Sequence, residues 1–125
     1  MSQTIRIFIE EVPPSANRIW LRNRRTGQIY LSPQYRRFKA LTGLKCAGQR
    51  MPESWKYCAV RITVHPRSRR GDVDNRIKAV LDALTFAGFW EDDKVVAEVT
   101  ARFGRPDKDG CTLIEITERS EKYEN

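Results

Sequence analysis

Acidic residues are scarce over the first 71 positions, where Glu10, Glu11 and Glu53 face 15 lysines and arginines, a local net charge of +12. Histidine is rarer still, with His65 alone, and the three cysteines, Cys46, Cys58 and Cys111, lie far apart with no CxxC pair. That shortage excludes a zinc finger and leaves a Ser-His or Cys-His catalytic arrangement only one imidazole to use. An odd, scattered set of thiols argues against a disulfide framework and for a reduced, cytoplasmic protein, with the cysteines as small buried hydrophobes. His65, at the end of a predicted strand, reads as structural. There is no apolar run of signal-peptide or membrane-span length, no internal repeat and no low-complexity block.

What the first part lacks, the second supplies. Residues 72–125 carry 13 acidic and 8 basic side chains, net −5, within a chain of 125 residues and formal charge +7. One domain accounts for this length, and two copies would be a natural way to build a larger site. A basic body holding a local acidic cluster is the distribution that cutting a phosphodiester needs, since cations hold the polyanion while carboxylates hold a metal.

The acids begin at Asp72-Val-Asp74-Asn75-Arg-Ile77-Lys78-Ala-Val80-Leu81-Asp82-Ala-Leu84. Read at about 100° per residue, this stretch is a helix with Val73, Ile77, Val80, Leu81 and Leu84 on its apolar face. Asp74, Lys78 and Asp82 follow one another at i, i+4, i+8 on a polar face, Asp72 stands at the N-cap, and Gly88 closes the other end. A second pair, Asp92-Asp93, lies between the helix and the next strand. Spacing leaves open whether that pair folds back beside the helix start. Should it do so, the crowded carboxylates would repel unless a divalent cation neutralised them, and an all-oxygen set favours Mg²⁺ or Mn²⁺ over zinc. Asp82 reads as a salt-bridge residue. Lys78 could either stabilise charge at a reacting phosphate or pair with Asp74 and Asp82.

Taken in order, Thr4 to Glu10 alternates as a strand with Ile5, Ile7 and Ile9 on one side, and Pro13-Pro14 ends it. Ser15 to Arg18 is a turn, and residues 19–22 and 28–31 form a hairpin whose tip carries Arg24-Arg25. With Arg18 and Arg22, that tip is either a solvated turn or a phosphate-gripping finger. Ser32-Pro33 starts a helix running to about Gly48, with Tyr35, Phe38, Leu41, Leu44 and Lys45 forming its amphipathic pattern. Tyr57 to Val64 is a strand that delivers the loop Pro66-Arg67-Ser68-Arg69-Arg70-Gly71, either a basic loop balancing the nearby acids or, on the stronger reading, the best nucleic-acid contact in the sequence. Lys94 to Phe103 and Cys111 to Thr117 are the last strands, and Thr117 to Asn125 is a polar tail. The sum is a single α+β domain over residues 1–125, a mixed sheet covered by two α-helices.

The run from Asp72 through Asp82-Ala-Leu84, followed by Gly88-Phe89-Trp90-Glu-Asp92-Asp93-Lys-Val-Val, resembles the RusA family of Holliday junction resolvases, common in phages and prophages. Pro13-Pro14-Ser15-Ala16-Asn17-Arg18 resembles that family's opening loop. The resemblance implies a Mg²⁺-dependent homodimer that binds branched DNA and resolves four-way junctions by paired symmetric nicks, in DNA recombination and repair. It implies Asp72, Asp74 and Asp93 as metal-binding carboxylates and Lys78 as the catalytic lysine. Arg18, Arg24, Arg25, Arg67, Arg69 and Arg70 are the expected DNA contacts. One departure is Gly71, where the family often has a basic residue. The alternative from another class is a non-catalytic branched-DNA-binding protein whose acids are structural. A nucleotide-sugar transferase using Asp-x-Asp fits poorly, because the chain is short and has no glycine fingerprint.

Overall fold

The computed structural model describes residues 3–69 and 73–124. Four strands form a mixed sheet in the order β1-β6-β4-β5: β1 is Thr4–Ile9, β4 Tyr57–His65, β5 Val96–Phe103 and β6 Cys111–Arg119. β6 runs antiparallel to both its neighbours, while β4 and β5 are parallel. Parallel neighbours need a crossover, and α2, Ile77–Phe86, supplies it. A separate antiparallel hairpin pairs β2, Trp20–Arg22, with β3, Ile29–Leu31, ahead of α1, Pro33–Lys45. The expected α+β domain, a mixed sheet with two helices, is what forms.

Strand alternation puts the core on one face of the sheet. Ile5, Ile7 and Ile9 of β1, Val60, Ile62 and Val64 of β4, and Ile114 and Ile116 of β6 are all buried. They pack with Phe38 of α1, Val80 and Leu84 of α2, and the edge-to-face pair Phe89–Trp90 beyond α2. Arg6, Arg61 and Glu98 lie on the opposite, open face of the sheet with Glu115.

Both helices are capped as their sequences dictate. Ser32 Oγ accepts the Tyr35 N–H at 3.1 Å with Pro33 as the first helical residue. At the end of α2, Gly88 takes φ +79°, its N–H reaches Thr85 O at 3.0 Å, and the Phe89 N–H reaches Leu84 O at 3.1 Å. That pair of bonds is a Schellman closure, which needs the left-handed conformation glycine adopts without strain.

Several expectations are corrected. α1 stops at Lys45 rather than near Gly48, and Leu44 is 72% exposed instead of part of the packed face. Nine residues separate Leu44 from Tyr35, half a turn round the helix, and the buried stripe runs through Tyr35, Phe38 and Thr42. α2 starts at Ile77, not at Asp72–Val73, because a 3₁₀ turn over Asp74–Arg76 precedes it. Side chains tie that turn down: Arg76 donates to Pro13 O at 2.7 Å and Asn75 to Asn17 Oδ1 at 3.3 Å. β5 begins at Val96 instead of Lys94, after a second 3₁₀ turn, Asp93–Val95. The C-terminal tail is shorter than expected, since Thr117–Arg119 continue β6 and pair with Tyr57–Ala59 of β4.

Candidate nucleic-acid interface and acidic centre

The register fixes which end of the sheet each candidate residue occupies. Ile9 and Val64 both stand opposite Thr112, so β1 and β4 finish at the same end. Arg76 bonds to Pro13 just beyond β1, which places the start of α2, and the Asp74 turn before it, over that end. β5, by contrast, begins with Val96 opposite Cys58, at the far end, directly after the Asp93 turn. The two acidic segments therefore lie at opposite ends of α2, whose ten residues span about 15 Å. The Asp92-Asp93 pair does not fold back beside the helix start within one chain. Among the described residues, no three His, Cys, Asp or Glu side chains group closely enough to hold a metal.

The remaining predicted acids and the lysine take distinct positions. Arg70, Gly71 and Asp72 lie outside the described residues, as does the side chain of Asp74, so the expected N-cap at Asp72 is not described. Asp92 and Asp93 do not sit on one extended segment: Asp92 is extended, accepts the Lys94 N–H at 2.9 Å and caps the turn that Asp93 opens. Lys78 Nζ is 3.2 Å from Asp82 Oδ2, the expected i,i+4 pair, and its side chain is two-thirds exposed. At such exposure the pair contributes only about 0.3–0.5 kcal/mol and leaves the ammonium available to a substrate.

The predicted DNA-contacting arginines fall into three groups. Arg24 and Arg25 are exposed at the hairpin tip, which Asn23 shapes by accepting the Arg25 and Thr26 N–H groups at 2.8 and 3.2 Å. Arg69 borders a shallow hollow with Pro66, Phe103, Gly104 and Pro106. Arg18 and Arg67 line a cleft of about 240 Å³ with Ser15, Gln34, Ser68 and a third arginine, Arg76. His65 is structural here, as expected: its Nδ1 donates to Arg105 O at 2.9 Å, and the ring fills the space a Cβ on Gly104 would need.

Two residues that sequence reasoning passed over organise this end of the molecule. Glu11, 4% exposed, receives Arg67 at 2.6 Å and Arg37 at 2.9 Å, and its Oε1 accepts the Val12 N–H at 2.9 Å. Burial works against its ionisation, but the Val12 N–H and the two guanidinium groups outweigh it and hold the carboxyl below its ordinary value. Its signal in the sequence was rarity, one of three acids in a strongly basic half and just ahead of Pro13-Pro14. Arg76 is the other, half-buried, with burial lowering its pKa. Its place directly after Asp74-Asn75 was the available clue.

The thiols fit no catalytic role. Burial pushes both Cys46 and Cys58 up to about 11, and it raises Cys111 as well, helped by Asp107 and Glu10. All three therefore stay protonated at neutral pH.

Comparison with known proteins agrees with the motif. The family model described as endodeoxyribonuclease RusA matches residues 11–117. A crossover junction endodeoxyribonuclease RusA of Shigella sonnei is 38% identical over 111 residues, covering 85% of this chain and 88% of that protein. The protein of the same name from Enterobacteria phage HK97 is 33% identical over 114 residues, 89% of this chain and 92% of the relative. An Escherichia coli relative, also so named, is 37% identical over 111 residues, with 85% and 88% covered. With the match running from Glu11 to Thr117, the chain belongs to the RusA endodeoxyribonuclease family.

Proposed function

We propose that this protein is a crossover junction endodeoxyribonuclease that resolves four-way DNA junctions by paired nicks, acting as a homodimer with Mg²⁺ or, in its place, Mn²⁺. The observation that carries the dimeric reading is the separation of the acids. Asp74 and Asp93 stand at opposite ends of α2, whereas two carboxylates sharing one small cation must lie within a few ångströms of it. Asp72 and Asp74 of one protomer, meeting Asp93 of the partner subunit, would complete each centre. Two such centres related by a two-fold axis suit two symmetric cuts.

The donor set, carboxylate oxygens without thiolate or imidazole, fits a hard cation. When bound, the cation supplies Lewis-acid activation of the phosphoryl oxygen and a water more easily deprotonated. Lys78, on the first turn of α2, places an ammonium near the Asp74 turn to stabilise charge developing on the phosphate. Arg18, Arg24, Arg25, Arg67, Arg69 and Arg70 hold the DNA backbone.

The test is an end-labelled four-way junction and a matched linear duplex, each with Mg²⁺ and with chelator. Paired nicks confined to the junction with Mg²⁺ are expected. Binding without cleavage in either metal would overturn the enzymatic reading.

A further inference from the structure

Ser15 and Arg18 come from the turn after Pro13-Pro14, Arg67 and Ser68 from the loop after β4, Gln34 from α1, and Arg76 from the turn into α2; together they line one cleft. Among the described residues that line it are three guanidinium groups, two hydroxyls and no carboxylate. Glu11 reaches Arg67 from behind and offsets part of one charge. Arg76 spends one nitrogen on Pro13 O, while its Nε is buried with no hydrogen-bond partner among the described residues. A buried donor of this kind is costly unless an acceptor arrives.

We propose that this cleft is a socket for one non-scissile backbone phosphate of the bound DNA, with Arg76 and Arg18 as its two principal ligands. The inference rests on the junction-cutting reading above and adds to it a residue, Arg76, and a place. Guanidinium donors match phosphate oxygens in geometry, and the serine hydroxyls can take the remaining lone pairs. The socket flanks the acidic segment on both sides, since Ser68 precedes Asp72 by four residues and Arg76 follows Asp74 by two. A phosphate held there would fix the strand's register relative to the carboxylates without being cut itself.

The experiment compares wild type, Arg76→Gln, Arg76→Lys and Arg18→Gln on a four-way junction over a range of salt. The junction carries single methylphosphonates that neutralise one backbone phosphate at a time. Losing one phosphate contact should flatten the slope of log K against log salt by about 0.9, and weaken binding at fixed salt about tenfold. One methylphosphonate near the cut should weaken wild type yet add nothing in Arg76→Gln or Arg18→Gln, while Arg76→Lys keeps part of the effect. Should Arg76→Gln fail to fold for want of its Pro13 bond, Arg18→Gln decides alone. Full slopes and unchanged methylphosphonate penalties, in a protein that still nicks junctions, would overturn the socket. Failure of the resolvase reading looks different, because wild type would then leave the junction whole. In that case, titration of wild type with inorganic phosphate, followed by the Arg76 Nε–H resonance at constant ionic strength, still decides: a saturating shift supports the socket and none refutes it.

Discussion

Glu11 shows how one buried residue can fix several functional ones. Its carboxylate joins Arg37 of α1 to Arg67 of the loop after β4, across a distance in sequence that no periodicity reveals. Glu11→Gln should cost roughly 2 kcal/mol at neutral pH, near the low end for a charged hydrogen-bonded group because both arginines are half exposed. Since its folded pKa is lowered, the ionised form's contribution is present above the unfolded carboxyl value of about 4.3 and is lost as pH falls through the folded value. Urea midpoints should therefore separate the two proteins clearly at neutral pH and converge in acid; a gap independent of pH would contradict the charge account. Among the acids proposed for the centre, Asp74→Asn should abolish cleavage and leave junction binding equal or tighter, as it removes a negative charge near DNA. Retained cleavage would remove Asp74 from the centre. Lys78→Gln offers a sharper separation of roles. It should lower cleavage by about a hundredfold while unfolding within ~0.5 kcal/mol of wild type, because its ion pair is solvent-exposed.

Elements were legible in proportion to how local their causes are. Ser32-Pro33 and Gly88 announced a helix start and a helix end, and both do what their chemistry requires. Gly88→Ala should accordingly destabilise by about 1 kcal/mol, read from a denaturant midpoint, since its positive φ strains any side chain. The alternating isoleucines of β1 gave its buried face directly. Less legible was the run from Asp74 to Arg76, because Val73 ahead of it extends the apolar spacing of the helix across what is a turn, held tight by contacts with Pro13 and Asn17, distant in sequence. β6 likewise outran its apolar pattern because β4 offered backbone partners as far as Tyr57. Polar composition alone could not reveal that.

At the scale of the whole molecule, the motif named the acids but not their arrangement. Read in one line, Asp74 and Asp93 leave open whether they meet; the parallel pairing of β4 with β5 is what sends Asp93 to the other end of α2. Local spacing contains no information about that pairing, which depends on β6 standing between β1 and β4. On the function proposed above, each centre is completed by a second chain. The most direct measurement mixes two inactive variants, Asp74→Asn and Asp93→Asn, allows subunits to exchange, and assays a labelled four-way junction with Mg²⁺. In a mixed dimer one centre would carry both substitutions and the other neither, so nicks should return although each variant alone cuts nothing. A mixture as inert as its components, with subunit exchange demonstrated and wild type active, would place the whole centre in one chain and contradict the account.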